Sequence, residues 1–364
     1  MEKLKFTKLS SLLLFIAIAS MVVVSSCSDD PAPAQPIEVD FTVLNASITE
    51  AETLISTTEE GLAEGQYPAG SQAILQTAID LAQAVADNTA STQAIVDNAN
   101  IALQAAIDAY KASVIVPIDP ANLSGHWQFN EGSGTTAADD SGNGLDGTFM
   151  TGHTEFGGGT AAWGADRYGN ANSALVVDQG AWVEVPYNAA INPAKITISL
   201  WVNAAENREN NRFLGLRSWL GYKFQLQSAD KPFFTGATTP EHSGPIFDKD
   251  TDPPLNLDEW YHLAVSFGDG EMVFYVDGTE TARHEVLPIA DMATVTEHNL
   301  AIGVGSARYA DSDANYGEET HEDYHIIPAA WGGYFHGSID ELRIYKTVLS
   351  PTQVQSIYDV EKPN

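Results

Sequence analysis

The sequence predicts a mainly β protein: a jelly-roll β-sandwich preceded by a small three-helix bundle. Three observations carry this. All seven Trp residues lie between Leu123 and Tyr358, in a region of short alternating apolar and polar runs separated by Gly, Asn and Asp turns, the pattern of half-buried strands. Residues 39–115 instead repeat apolar positions at helical spacing and contain neither Trp nor Cys. Ahead of both, a short apolar run follows three lysines, which marks a leader and not a domain.

The leader comes first in the chain. Lys3, Lys5 and Lys8 precede an apolar run from Leu12 to Val24 whose 13 residues are too few to span a bilayer but suit a secretory signal. Residues 1–26 are therefore expected to be removed. Cys27 closes Val24-Ser25-Ser26-Cys27 and is the sole cysteine, so no intrachain disulfide can form, and a lone thiol in an oxidising compartment is a liability unless it is used. The segment resembles a bacterial lipoprotein signal. That resemblance implies lipidation of Cys27 and a membrane contact through the lipid alone. With Ser28-Asp29-Asp30 following, it also implies placement on the outer membrane, facing the cell exterior. Without residues 1–26 the chain keeps 14 basic and 48 acidic residues, a net charge of −34, which argues against nucleic acid as a partner.

Residues 27–38, with "SDDPAPAQP" at 28–36, read as an extended linker. From 39 to 115 the apolar positions are Leu44, Ile48, Ala51 and Ile55, then Ile74, Ala78, Leu81 and Val85, then Ile95, Ala99, Ala102 and Ala106, which predicts three helices. Breaks fall at Gly65–Gly70, with Ser71 as N-cap, and at Asn88–Ser91. Short connections make neighbours antiparallel. Tyr67-Pro68, Ser71, Leu75, Ala78, Ala82, Val85, Thr92-Gln93, Val96-Asp97, Ala102-Leu103 and Ala106-Ile107 resemble the FIVAR repeat of bacterial surface proteins, which implies a spacer. Residues 116–121 form a second, proline-marked linker.

Residues 122–360 carry the sandwich. Strands are expected in "SALVVDQGAWVEV" (173–185), "KITISLWVNA" (195–204), "YKFQLQ" (222–227), "WYHLAVSF" (260–267), "EMVFYVDG" (271–278) and "GSIDELRIYK" (337–346). Trp127, Phe129, Ile198, Leu200 and Val202 point to the core and Trp201 away from it. Asp277-Gly278 is a hairpin turn pair, and Ser350 with Pro351 starts a last short helix.

In order, "HWQFNEGSGTTAADDSGNGLDGT" (126–148), "ALVVDQGAWVEVP" (174–186), "ITISLWVN" (196–203), "DEWYHLAVSF" (258–267), "VFYVDGTETA" (273–282) and "GYFHGSIDELRIYKTVLSPTQVQSIY" (333–358) resemble the laminin-G-like, concanavalin A-like jelly-roll domain of bacterial secreted proteins. The resemblance extends to glycan-binding lipoproteins of polysaccharide utilisation systems. It implies a polysaccharide or oligosaccharide ligand and an outer-membrane glycan uptake machinery as partner. It also implies one structural Ca²⁺ held by Asp140 and Asp340, with Asn143; these are oxygen donors of the kind a hard cation takes. The alternative is a turn and a strand-end carboxylate satisfied by backbone amides.

Two clusters suit a sugar, offering flat aromatic faces beside planar donors. One is "RENNRFLGLRSWLGYK" (208–223), with Arg212, Arg217, Trp219 and Tyr222. The other lies between Gly305 and Gly332, where the family pattern has only a short turn, and holds Arg308, Tyr309, Tyr324, His325 and Trp331. The bland alternative for any one of these aromatics is core filling. "HEDYH" (321–325) spells H-E-x-x-H, but zinc chemistry needs that pattern on a buried helix, and Pro328 stops a helix three residues later. No strand carries the spaced acidic triplet of sandwich-fold glycosidases. The expectation is a binder and not an enzyme; a polysaccharide lyase or glycoside hydrolase on the same fold is the alternative, and adhesion to a protein partner ranks below it.

Overall fold

The computed structural model describes residues 38–239, 245–296, 298–305 and 333–363. The chain divides into two compact units, Met1–Asp40 and Phe41–Asn364. Of the first unit only 38–40 are described, without regular secondary structure, so the expected signal segment, Cys27 and nearly all of the first linker lie outside the described residues. No helix among the described residues is long and apolar enough to cross a membrane.

Three helices open the second unit: α1 (Thr42–Thr57), α2 (Ser71–Ala86) and α3 (Gln93–Ala112). On α1 the buried stripe is the expected one, Leu44, Ile48 and Ala51. On α2 and α3 it is shifted. Leu75, Ile79 and Ala82, and Val96, Leu103, Ile107 and Tyr110, face the interior, whereas Ile74 and Leu81 are 73% and 68% exposed. Each helix carries two overlapping apolar stripes one residue, about 100°, apart. Packing chooses between them, and on α3 the buried stripe is completed by Tyr110, which stacks on Tyr67 at 4.3 Å between centroids and shares a 2.5 Å hydrogen bond with Thr58 Oγ1. The cap of α2 also differs: Gly70 (φ 85) takes the cap position, and Glu60 Oε1 from the preceding loop accepts from Gln72 N at 2.7 Å.

The strands, in chain order, are β1 (Leu123–Trp127), β2 (Thr136–Ala137), β3 (Gly147–Met150), β4 (Ala162–Gly164), β5 (Ala174–Val177), β6 (Trp182–Val185), β7 (Ile196–Ala204), β8 (Asn211–Leu216), β9 (Tyr222–Gln227), β10 (Lys231–Ala237), β11 (Ile246–Asp250), β12 (Trp260–Gly268), β13 (Glu271–Val276), β14 (Thr279–Glu285), β15 (Leu300–Ile302) and β16 (Gly337–Tyr345). They form two antiparallel sheets. The first runs β14-β13-β12-β7-β16-β5-β4 with β1 also on β16; the second runs β11-β10-β9-β8-β15-β6-β3-β2. The architecture is the expected sandwich.

Alternation assigns the faces. Trp127, Phe129, Ile198, Leu200 and Val202 meet Phe213, Tyr222, Phe224, Leu226 and Phe234 in one apolar core. Between β13 and β14, Asp277 (φ 49) and Gly278 (φ 76) make the two-residue turn whose left-handed pair matches strand twist.

A last helix, α4 (Pro351–Glu361), starts at Ser350 with the expected Pro at N1 and a full capping box with Gln353. It packs Val354 and Ile357 on the outer face of the first sheet, against Ala264, Val273, Tyr275 and Tyr345. The 116–121 segment is not a free tether there. Val116 N donates to Ser356 Oγ at 3.0 Å, Gln353 Nε2 donates to Pro117 O at 3.1 Å, and Ile118 packs against the same cluster.

Candidate functional site

Because Tyr222, Phe224 and Leu226 of β9 point to the core, Lys223, Gln225 and Gln227 stand on the outer face of the second sheet. Cross-strand pairing extends them into rows. Arg212, Gln225, Phe233 and Asp250 form one, and Gly215, Lys223, Thr235 and Asp248 the next. Arg212, Lys223, Gln225 and Thr235 are fully buried, while Arg217, Trp219, Gln227 and Phe233 are partly exposed beside them.

Lys223 is the centre of this face. Its Nζ lies 3.9 Å from the Trp219 ring centroid and 4.7 Å from that of Phe233, two aromatic faces on one cation. Thr235 Oγ1 donates to Asp248 Oδ1 at 2.6 Å. Burial and the neighbouring Arg212 hold the Lys223 amine well below the usual lysine range, with Asp248 opposing them. The Arg212 guanidinium lies against Gly305, where a Cβ would come within 2.3 Å of Nη1. Buried polar groups flanked by partly exposed rings suit a hydroxyl-bearing ring ligand.

Of the residues expected here, the structure brings together Arg212, Trp219 and, in the same turn, Arg217, which adopts a left-handed conformation (φ 51). Tyr222 is a correction: it is fully buried, and its hydroxyl donates to Ile191 O at 2.6 Å. Strand parity turns it inward, and burial pushes its phenol above the usual range. Arg308, Tyr309, Tyr324, His325, Trp331 and all of "HEDYH" lie outside the described residues. Lys223, Gln225, Phe233 and Thr235 were not singled out. The signal for two of them was in "YKFQLQ", whose polar half is Lys-Gln-Gln on one face.

A second polar cluster lies where α4 meets the first sheet. β16 is bulged between Asp340 and Arg343, with Glu341 in the left-handed region (φ 51). Arg167 Nη1 meets Asp340 Oδ2 at 2.5 Å, Arg343 Nη2 meets Glu341 Oε2 at 2.7 Å, Arg343 also pairs with Glu361, and His126 Nε2 lies 2.8 Å from Glu341. Trp201 Nε1 donates to Glu361 Oε2 at 2.9 Å. Two guanidiniums thus face three carboxylates. Burial works against Glu341, but His126 and the arginines outweigh it and hold that carboxyl low. The excess negative charge falls on the others: burial raises Glu361 and pushes Asp340 up to about 7 despite Arg167.

The sign of the consequence follows. A carboxyl with a raised folded-state pKa stabilises fully below its unfolded value and loses that contribution as pH rises through about 7. Between about pH 5 and 8 the melting temperature of the wild type should therefore fall relative to that of Asp340→Asn. Parallel curves in scanning calorimetry would contradict this.

These contacts bear on the calcium expectation. Asp340 is 1% exposed and is bound to a guanidinium, so the positive charge it faces is already supplied. Asn143 donates its amide N–H groups to Leu123 O at 3.0 Å and Ser124 O at 2.9 Å, which fixes the loop and leaves its Oδ1 uncommitted. Asp140 is exposed. The early loop is organised instead by Asp139, which accepts from His126 N, Ser141 N, Ser141 Oγ and Leu145 N at 2.8 to 3.0 Å. Asp340, already paired with Arg167, is the member of the expected set that fits a Ca²⁺ shell poorly. Among the described residues no group of three or more His, Cys, Asp or Glu is placed to hold a metal.

The Ser199–His262 pair of the first sheet is not set up as a nucleophile and base. Ser199 Oγ lies 2.8 Å from His262 Nε2, but both residues are fully buried, and burial pulls the imidazole down to about 3, far too weak a base for neutral pH.

Residues 177–355 match the family model described as the concanavalin A-like lectin/glucanases superfamily, Laminin_G_3. The match lies within the sandwich. A gellan lyase from Bacillus sp. is 36% identical over 91 residues, 25% of this chain; the chain spans 4% of that enzyme's length. Among solved structures, domain 4 of AbnA, a GH43 extracellular arabinanase from Geobacillus stearothermophilus in complex with arabinotriose, aligns at 23% identity and a TM-score of 0.46 over 65% of this chain and 98% of that one. The binding domain of Paraclostridial Mosquitocidal Protein 1 aligns at 13% identity and a TM-score of 0.45, over 66% and 52%.

Proposed function

We propose that the protein captures a polysaccharide at the cell surface, with the outer face of the second sheet as the contact surface. The observation that carries this is the Lys223 clamp: a buried amine between Trp219 and Phe233, flanked by Arg212, Gln225 and Thr235, in a domain that matches a lectin and glucanase superfamily. The rings offer apolar faces to sugar C–H groups, and the polar floor offers hydrogen bonds to hydroxyls. In this reading Cys27 is the lipid anchor, the helical bundle is the spacer, and the protein hands glycan to an outer-membrane uptake machinery.

Affinity electrophoresis of the purified protein in gels holding arabinan, galactan, xyloglucan, alginate or gellan tests the reading. At least one glycan should retard it, and Trp219→Ala should weaken that retardation at least about tenfold, as loss of a stacking platform does. Unretarded migration in every gel sinks the proposal. Released reducing ends, or absorbance at about 235 nm from an unsaturated product, would make the protein a hydrolase or a lyase instead.

A further inference from the structure

Two buried acceptors beside the clamp have no donor among the described residues: Gln225 Oε1 and Asp230 Oδ1. Both residues belong to one end of the second sheet, Gln225 in β9 and Asp230 in the turn that follows it. The 205–210 loop ties them together. Gln225 Nε2 donates to Asn210 Oδ1 at 3.4 Å and to Gln227 Oε1, and Asn207 Nδ2 donates to Asp230 Oδ2 at 2.6 Å. With its N–H₂ directed at these two acceptors, Gln225 Oε1 is the atom left over. Asp230 is held in the left-handed region (φ 56), directly after Ala229 (φ 63).

Each buried unpaired acceptor is costly, as is each left-handed residue that is not glycine. One such acceptor and two such residues at one turn, with the second acceptor in the strand before it, indicate a constraint other than stability. The missing partner must be a donor. A hard cation is a poor candidate, because it needs six to eight oxygens and this cluster has one carboxylate, already bonded to Asn207. A uronate is poorer still. Its carboxylate only accepts, and it would meet Asp230 on a chain of net charge −32.

We propose that Gln225 and Asp230 form a hydroxyl-recognising subsite beside the Lys223 clamp, which selects a neutral, hydroxyl-rich glycan over a uronate-bearing one. This rests on the reading that the face binds glycan. Neighbouring hydroxyls of one sugar ring each donate to one acceptor, and the amides of Asn207, Asn210 and Gln227 stand ready to exchange partners with them.

Asp230→Asn and Gln225→Met test it in the full chain. Asn tolerates the left-handed conformation, and Met keeps the Gln volume, so both variants should fold. In gels of arabinan, galactan or xyloglucan the wild type is expected to be retarded and each variant to lose at least about tenfold in affinity, the effect of removing one partner of a recognised hydroxyl. Alginate and gellan should retard none of them. Wild-type retardation with unaffected variants overturns the subsite and leaves the glycan reading intact. Retardation only by alginate or gellan overturns it too. So does a rise in wild-type melting temperature with CaCl₂ that Asp230→Asn abolishes, since the acceptors then hold a cation. A wild type that no glycan retards ends the glycan reading itself, and the subsite with it.

Discussion

Arg343→Met should lower the thermal unfolding midpoint by roughly 6–20 °C, whereas Arg283→Met should shift it by no more than about 2 °C. Both arginines pair with two carboxylates at short range: Arg343 with Glu341 and Glu361, Arg283 with Glu271 and Glu280. Proximity does not separate them, but burial does. The Arg283 pairs stand on the exposed edge strand β14, with the arginine side chain 40% accessible, where water screens the charges and holding long side chains in place costs entropy. The Arg343 side chain is 15% accessible and Glu361 is 9%. Removing that guanidinium leaves Glu361 without its ion-pair partner, and Glu341 with only His126 and the more distant Arg167, in a region that α4 shields, which costs about 3–5 kcal/mol. Because Glu361 also holds Trp201 Nε1, the loss should loosen α4 first. Near-ultraviolet circular dichroism of Trp201 and Tyr358, stacked at 5.8 Å, should fade before the far-ultraviolet signal. Equal small shifts for the two variants would mean that the cluster is solvated and that α4 is held by its apolar face alone.

Much of the sandwich was legible because parity in a strand is strict. In "ITISLWVN" the apolar positions 196, 198, 200 and 202 could face only one way, and the structure places Ile196, Ile198, Leu200 and Val202 in the core. The same rule, applied to "YKFQLQ", excludes Tyr222 from the outer face and puts Lys223 and Gln225 there. The aromatic ring in that segment outweighed its position. Helices are less strict, since α2 carries apolar residues on adjacent stripes and only packing chooses between Ile74 and Leu75. What could not be read was anything that depends on where distant segments meet. Arg167 reaches Asp340 across 173 residues, and no local pattern announces that pair. The Lys223 clamp needs the 218–220 turn and β10 to converge on β9. The unsatisfied atoms of Gln225 and Asp230 appear only once every neighbour has been given its partner.

Lys223→Met should separate stability from function, moving them in opposite directions. A lysine whose folded-state pKa is depressed by burial and by Arg212 opposes folding wherever it is charged in the unfolded chain. The linkage runs accordingly: the penalty is full at pH values below the folded pKa and disappears as pH rises to the unfolded value of about 10.4. Near neutral pH an apolar side chain of similar length escapes that penalty. It forfeits the attraction of Asp248 and the two ring faces, worth about 0.5–2 kcal/mol for a cation between aromatics. Replacing buried charge by packed hydrophobe gains about 1–4 kcal/mol in comparable settings, so the balance favours the variant and its melting temperature should rise. Glycan retardation should fall at least about tenfold, because the floor then lacks its one movable donor between Trp219 and Phe233. The pH dependence is the sharper readout, since wild-type stability should climb toward the variant's as pH is raised from about 7 to 10. A variant that melts lower and still binds glycan would assign Lys223 to holding β8, β9 and β10 together, and would move the contact surface toward the acceptor pair at the end of β9.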